Sequence, residues 1–174
     1  MNINCIVNGD LFENCYIIHN NKEAIIIDPG SEPNKIYKDI NKLNLKVIGI
    51  LVTHYHFDHV LCLDEIKNKY NVDVIDYKNK VNNIGPFSFE IIENYGHTMD
   101  SVSYYFRKDK IMFTGDFVFK DSIGNYEYNN ECIMFESLKR FCKFDNDIVI
   151  YPGHGDSSTI GYEKDNNYFL RGII

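Results

Sequence analysis

The chain has no tryptophan, only four prolines, and three arginines (Arg107, Arg140 and Arg171). Basic residues are in deficit: 18 lysines and arginines face 25 aspartates and glutamates, a net charge of -7. A chain of this charge repels a polyphosphate backbone, so no nucleic-acid partner is expected. Long hydrophobic runs are also absent. Stretches such as Ala24 to Ile27 and Val47 to Val52 fall far short of the roughly 20 apolar residues that cross a bilayer, so no membrane partner is expected either. The opening Met1-Asn2-Ile3-Asn4-Cys5 lacks the basic-then-apolar order of a secretory signal, and the expected location is the cytoplasm. No Cys-x-x-Cys pair occurs among Cys5, Cys15, Cys62, Cys132 and Cys142, and their odd number points to free thiols.

What remains is one domain's worth of chain, 174 residues of which 44% are hydrophobic, and a single domain over 1–174 is expected. A chain of this size buries a core without disulfides or a structural metal, so a metal would be present for chemistry. Short runs rich in β-branched and aromatic residues read as strands: Cys15 to Ile18, Glu23 to Ile27, Val47 to Val52, Val72 to Ile75, Phe87 to Ile92, Ser101 to Phe106, Lys110 to Phe113 and Asp147 to Tyr151. Helical spacing marks Pro33 to Leu43, where Ile36, Ile40 and Leu43 recur on one face, and also Val60 to Tyr70 and Cys132 to Phe144. A run of strands followed by alternation implies a layered α/β or α+β domain. No internal repeat or low-complexity tract is visible.

Several strands end in polar residues, where a rigid element can aim a loop side chain. Asp28-Pro29-Gly30 follows Ile27, Thr114-Gly115-Asp116 follows Phe113, and Pro152-Gly153-His154-Gly155 follows Tyr151. The densest case is Thr53-His54-Tyr55-His56-Phe57-Asp58-His59, with three histidines and an aspartate in six positions between a strand and a helical run. His54 and His56, two apart on extended chain, point to one side. Asp58 and His59 can face the same space as the chain turns into the helix. Imidazole nitrogen and carboxylate oxygen are ligands for zinc, iron or manganese, so the segment offers two adjacent metal positions. His97, in Tyr95-Gly96-His97-Thr98, and His154 also sit beside strand ends, which leaves His19 alone in an expected turn at His19-Asn20-Asn21. Asp28 reads equally as a turn residue or as a neighbour of the metals.

The ordered set from Thr53 to His59, Gly96-His97-Thr98, Gly115-Asp116 and Pro152-Gly153-His154-Gly155 resembles the metallo-β-lactamase fold hydrolases, in their small glyoxalase II-like branch. The segment Thr159-Ile160-Gly161-Tyr162-Glu163-Lys164, with Asn167 and Phe169 after it, is similar to the same branch. The resemblance implies a four-layer αββα sandwich of two mixed sheets flanked by helices. It implies two divalent metal ions, zinc first and iron or manganese as alternatives: His54, His56 and His97 on one, Asp58, His59 and His154 on the other, and Asp116 bridging. Two such cations lower the pKa of a water held between them and present hydroxide to an acyl carbon. Asp58 and Asp116 would then be the catalytic carboxylates, Asp58 orienting the nucleophile or taking its proton. Thr53 and Thr98 are candidates for hydrogen bonds that fix ligand imidazoles.

The small molecule so implied is a thioester of the hydroxyacylglutathione type, with a lactonase or a mononuclear-iron persulfide dioxygenase as alternatives. Asp116 separates the chain from true β-lactamases, which carry another residue in the family pattern. Other features depart from the branch. Glyoxalase II has a further C-terminal helical region for glutathione, whereas Ile174 comes twenty residues after His154. Its Gly-Arg-x-Asp segment is replaced by Gly124-Asn125-Tyr126-Glu127, and Met99 and Asp100 stand where the pattern after the third histidine has proline and glycine. Lys120, Tyr126 and Tyr128 are candidate substrate contacts.

Overall fold

Isoleucine dominates the first half of the chain and aromatic residues the second, and in the computed structural model each half gathers around its own core. The structure describes residues 1–79 and 81–173, and the chain divides into two compact units, Met1–Ser88 and Phe89–Ile174.

In the N-terminal unit the order is β1 (Asn2–Asn8), β2 (Glu13–Asn20), β3 (Glu23–Ile27), α1 (Pro33–Leu43), β4 (Lys46–Leu51), α2 (Phe57–Val60), α3 (Leu63–Tyr70), β5 (Val74–Ile75), β6 (Asn83–Ile84) and β7 (Phe87–Ser88). Strands β1 to β3 form an antiparallel meander, and β3, β4 and β5 are parallel, giving the order β1-β2-β3-β4-β5. A parallel return needs a crossover, and α1 supplies it between β3 and β4. Pro33 opens α1, where its missing N–H costs nothing, and Asn44 closes it in the left-handed conformation at φ 51°. The helix buries Ile36 and Ile40 among Ile17, Ala24, Ile26 and Ile50. Each such side chain stabilises the unit by about 1.5–3 kcal/mol relative to its exposed state.

The C-terminal unit contains β8 (Glu90–Glu93), β9 (Val102–Phe106), β10 (Ile111–Gly115), the hairpin β11 (Val118–Phe119) and β12 (Ser122–Ile123), α4 (Glu131–Phe141), β13 (Val149–Pro152), β14 (Ser158–Thr159) and α5 (Ile160–Asn166). Strands β8 to β10 are again an antiparallel meander, and β10 pairs in parallel with β13 after α4, giving the order β14-β13-β10-β9-β8. Here the core is Met112, Phe117, Met134, Leu138, Phe141 and Ile150. Phe117 and Phe141 meet edge to face at 5.7 Å, the preferred arrangement for two aromatic rings.

Two mixed sheets with their helices bear out the α/β reading. Some boundaries differ from expectation. The helix expected over Val60 to Tyr70 starts at Leu63, and Val60 instead ends α2, because Cys62 leaves helical geometry at φ -100°, ψ 8°. His19 lies in β2, paired with Ala24, and the turn falls two residues later at Asn21, φ 53°. Strand β1, with polar residues alternating along Asn2–Asn8, and α5 lacked an apolar run strong enough to mark them. All five cysteines are free. Among the described residues, no helix is long and apolar enough to cross a membrane.

Candidate metal centre

Strand β4 ends at Leu51, and the seven residues after Val52 carry the ligands of the N-terminal unit. His54 and His56 offer ring nitrogens within 4.8 Å of each other, as do the Asp58 carboxylate and His59. The rings of His54 and His56 lie 4.7 Å apart between centroids and those of His54 and His59 4.4 Å. His59 Nε2 stands 3.7 Å from Asp58 Oδ2. His54 and His59 are buried, while His56 is exposed.

Asp28 organises this set from beneath. It follows β3 in the left-handed region at φ 50°, a conformation that aspartate tolerates better than most residues, and it is buried. Its Oδ1 accepts from the Thr53 N–H at 2.8 Å, and its Oδ2 accepts from the Thr53 hydroxyl at 2.6 Å and lies 3.1 Å from His59 Nδ1. The Thr53 hydroxyl is in turn 3.1 Å from His54 Nδ1. Because that hydroxyl donates to Asp28, it accepts from His54, so the network assigns the Nδ1 proton on both rings. Nε2 of His54 and His59 is thereby left with its lone pair, the tautomer a metal requires. Asp28 is thus both a turn residue and a support for His59 and, through the Thr53 hydroxyl, for His54.

In the C-terminal unit the ligands come from three separate turns: His97 between β8 and β9, Asp116 after β10, and His154 after β13. Asp116 Oδ2 is 3.7 Å from His97 Nε2 and 3.5 Å from His154 Nε2. Two ligands sharing a tetrahedral ion at bond lengths near 2.0–2.1 Å lie about 3.3 Å apart, so the carboxylate is placed to share an ion with either imidazole. His97 Nδ1 donates to the Asn125 carbonyl at 2.5 Å, which again aims Nε2 inward. This corrects the expectation for Thr98: its hydroxyl is used by Asp100 and Ser101, closing the turn that carries His97. The Asn125 contact comes through the backbone, so the side-chain identity gave no sign of it. Gly124 is the other unforeseen residue. A Cβ there would meet the Asp116 carbonyl oxygen at 1.8 Å and His97 Nδ1 at 3.0 Å, so only glycine lets the segment after β12 pass these two residues.

The donor set fits divalent metal: nitrogen and carboxylate ligands, three imidazoles with Nδ1 tied to an oxygen, and spacings that allow shared ions. The remaining expected residues fall elsewhere in the C-terminal unit. Lys120 sits 3.4 Å from Asp156 and lines a cavity with Ser158, Thr159 and Tyr162. Tyr126 and the largely exposed Tyr128 line a different cavity of 490 Å³ with Gly124 and Asn125. The three are therefore not parts of one pocket. Glu163, in the segment similar to the glyoxalase II-like branch, is a buried anchor that accepts from the Asp121 N–H at 2.9 Å and from Asn167 Nδ2 at 2.8 Å.

Comparison with known proteins places the chain in a family. The family model of the metallo-β-lactamase superfamily matches residues 8–88 and 78–154. The hydroxyacylglutathione hydrolase GloC of Haemophilus influenzae is 27% identical, over 98% of this chain and 98% of its own. Among solved structures, the B3 metallo-β-lactamase BLEG-1 superposes with a TM-score of 0.92 at 26% identity, covering 98% of this chain and all of its own. The di-iron-bound form of TTHA1623 superposes with a TM-score of 0.87 at 26% identity, covering 95% of this chain and 99% of its own. With the family model spanning most of the sequence, and a hydroxyacylglutathione hydrolase of Buchnera aphidicola 34% identical over 94% of this chain and 69% of its own, the chain belongs to the metallo-β-lactamase superfamily, in its glyoxalase II-like branch.

Proposed function

We propose that the protein is a binuclear metallohydrolase that cleaves a small thioester of the hydroxyacylglutathione type. The observation that carries this reading is Asp116, whose Oδ2 lies within 3.7 Å of both His97 Nε2 and His154 Nε2, as a carboxylate serving two ions requires. His54, His56 and His97 hold one ion in this reading, Asp58, His59 and His154 the other, and Asp116 both. The pair of ions, when bound, supplies a nucleophilic hydroxide near neutral pH and a Lewis acid for the acyl oxygen. Asp58 has a second carboxylate oxygen with which to orient the attacking water and receive its proton. Asp28 and Thr53 keep His54 and His59 in the ligating tautomer throughout.

Zinc suits this set, and iron is the alternative that the di-iron neighbour supports. A thioester substrate draws support from the Haemophilus influenzae relative, whose length this chain matches almost completely. The expectation that a longer C-terminal region is needed for such a substrate therefore carries no weight against it. Metal quantification on protein purified without added metal, followed by assays on S-acylglutathione, lactone, β-lactam and persulfide substrates, tests the reading. Two metal equivalents and fastest turnover of the thioester are expected. Replacing His56 or Asp116 with alanine should lower both metal content and rate. A single iron with oxygen uptake on glutathione persulfide would sink the hydrolase assignment.

A further inference from the structure

Three large apolar side chains of the N-terminal unit face water around one hollow. Leu11, from the turn between β1 and β2, and Phe57 and Leu61, from α2 and its C-terminal cap, are 51%, 66% and 64% exposed. They line a cavity of 580 Å³, within the range that small-molecule sites occupy. Phe57 and Leu61 stand four residues apart, and Leu61 keeps helical geometry at φ -56°, ψ -36°, so both project from one side of the helical turn. Apolar groups gathered around a concavity, unlike ones scattered singly, mark a surface that a ligand covers.

Asp58, next in sequence to Phe57, also lines the cavity. The cavity therefore opens beside the residue that orients the attacking water in the proposed reaction. The carbonyl carbon attacked there bears two substituents, the thiol moiety and the acyl side chain. Charge separates them. No lysine, arginine or histidine stands among the described lining residues, whereas Asp10 is exposed on the rim. Glu32 is engaged by Lys35 Nζ and by the Gly9 N–H, and Glu13 lies buried beneath the turn, accepting from the Ser31 N–H at 3.1 Å. Glutathione is net anionic at neutral pH; its carboxylates would gain no charged partner in this cavity and would be repelled by Asp10. An uncharged acyl side chain meets neither difficulty.

We propose that this cavity receives the side chain of the acyl group, and that Leu11, Phe57 and Leu61 select acyl groups whose side chain is bulky, uncharged and apolar. The proposal rests on the thioesterase reading and stays within its hydroxyacylglutathione class, adding the acyl side chain that the class leaves open. A lactoyl methyl covers little of the three side chains. A phenyl or isobutyl group in its place takes their surface out of water, which is where preference comes from.

Two measurements test it. S-lactoyl-, S-mandeloyl- and S-(4-carboxymandeloyl)glutathione are compared on the metal-loaded enzyme. The mandeloyl ester should exceed the lactoyl ester in kcat/KM by about tenfold, and the added carboxylate should cancel that gain. Phe57→Ser and Leu61→Ser should each bring the mandeloyl-to-lactoyl ratio toward one; both side chains are largely exposed, so neither variant opens a hole in the core. A mandeloyl ester no better than the lactoyl ester overturns the proposal, and so does a preference that survives both substitutions or is indifferent to the carboxylate. If none of the three is cleaved, the thioesterase reading fails while the subsite remains decidable on metal-free protein. Amide shifts of Leu11 and Leu61 should then report ethyl mandelate binding about tenfold tighter than ethyl lactate, and equal binding overturns the subsite as well.

Discussion

The two units hold their candidate metal-ligating residues by opposite means. In the N-terminal unit four ligands follow one strand within six positions, and a single buried side chain, Asp28, fixes two of them through its carboxylate. In the C-terminal unit three ligands arrive from three turns, and what fixes them is backbone: the Asn125 carbonyl on His97, and the close passage that Gly124 permits beside Asp116. A side-chain anchor can be weakened in graded steps by substitution. A backbone anchor either survives a substitution untouched or fails by steric clash.

That difference ranks the expected effects. Gly124→Ala should be the most damaging, because its Cβ would lie 1.8 Å from the Asp116 carbonyl oxygen and something must shift. A loss of about 3 kcal/mol or more is expected from thermal or urea unfolding, with metal content reduced first on the Asp116 side. Asp28→Ala comes next. It removes three contacts at once, so metal affinity measured by chelator competition should fall about 10- to 100-fold. Asp28→Asn should recover part of that loss, since an amide oxygen can still accept from the Thr53 N–H. Thr53→Val is smaller: it leaves the backbone bond to Asp28 and deletes the two hydroxyl links, to Asp28 Oδ2 and to His54 Nδ1, which should cost about 1–2 kcal/mol of stability. Asn125→Ala should do least. Its side chain is not what His97 uses, so metal content and turnover should stay within about twofold of the unaltered protein. A large effect there would mean that the side chain, not the carbonyl, governs His97.

The same contrast explains what the sequence made legible. The run from His54 to His59 could be read because density within one loop is a property of sequence itself. The strands could be read because Ile25 to Ile27 is a run of β-branched apolar residues, and Ile111 to Phe113 is a short apolar run bounded by turn residues. Asp28 was ambiguous for a physical reason: an aspartate after a strand suits a left-handed turn and also suits an imidazole, and here it serves both. His97, Asp116 and His154 gained meaning only as an ordered set resembling a family, since each alone is an ordinary loop residue. The Asn125 carbonyl was invisible because every residue has one.

The strand orders of the two units have one further implication. Each is a three-strand antiparallel meander, then a helix, then a strand parallel to the third: β1-β2-β3-α1-β4 in one unit, β8-β9-β10-α4-β13 in the other. Laid on that shared plan, Asp28 after β3 and Asp116 after β10 occupy the same station, and so do the histidine segment after β4 and His154 after β13. One topological blueprint thus appears twice in a chain whose sequence shows no repeat. At that shared station Asp116 stands beside His97 and His154, whereas Asp28 is buried and supports His59 directly and His54 through Thr53.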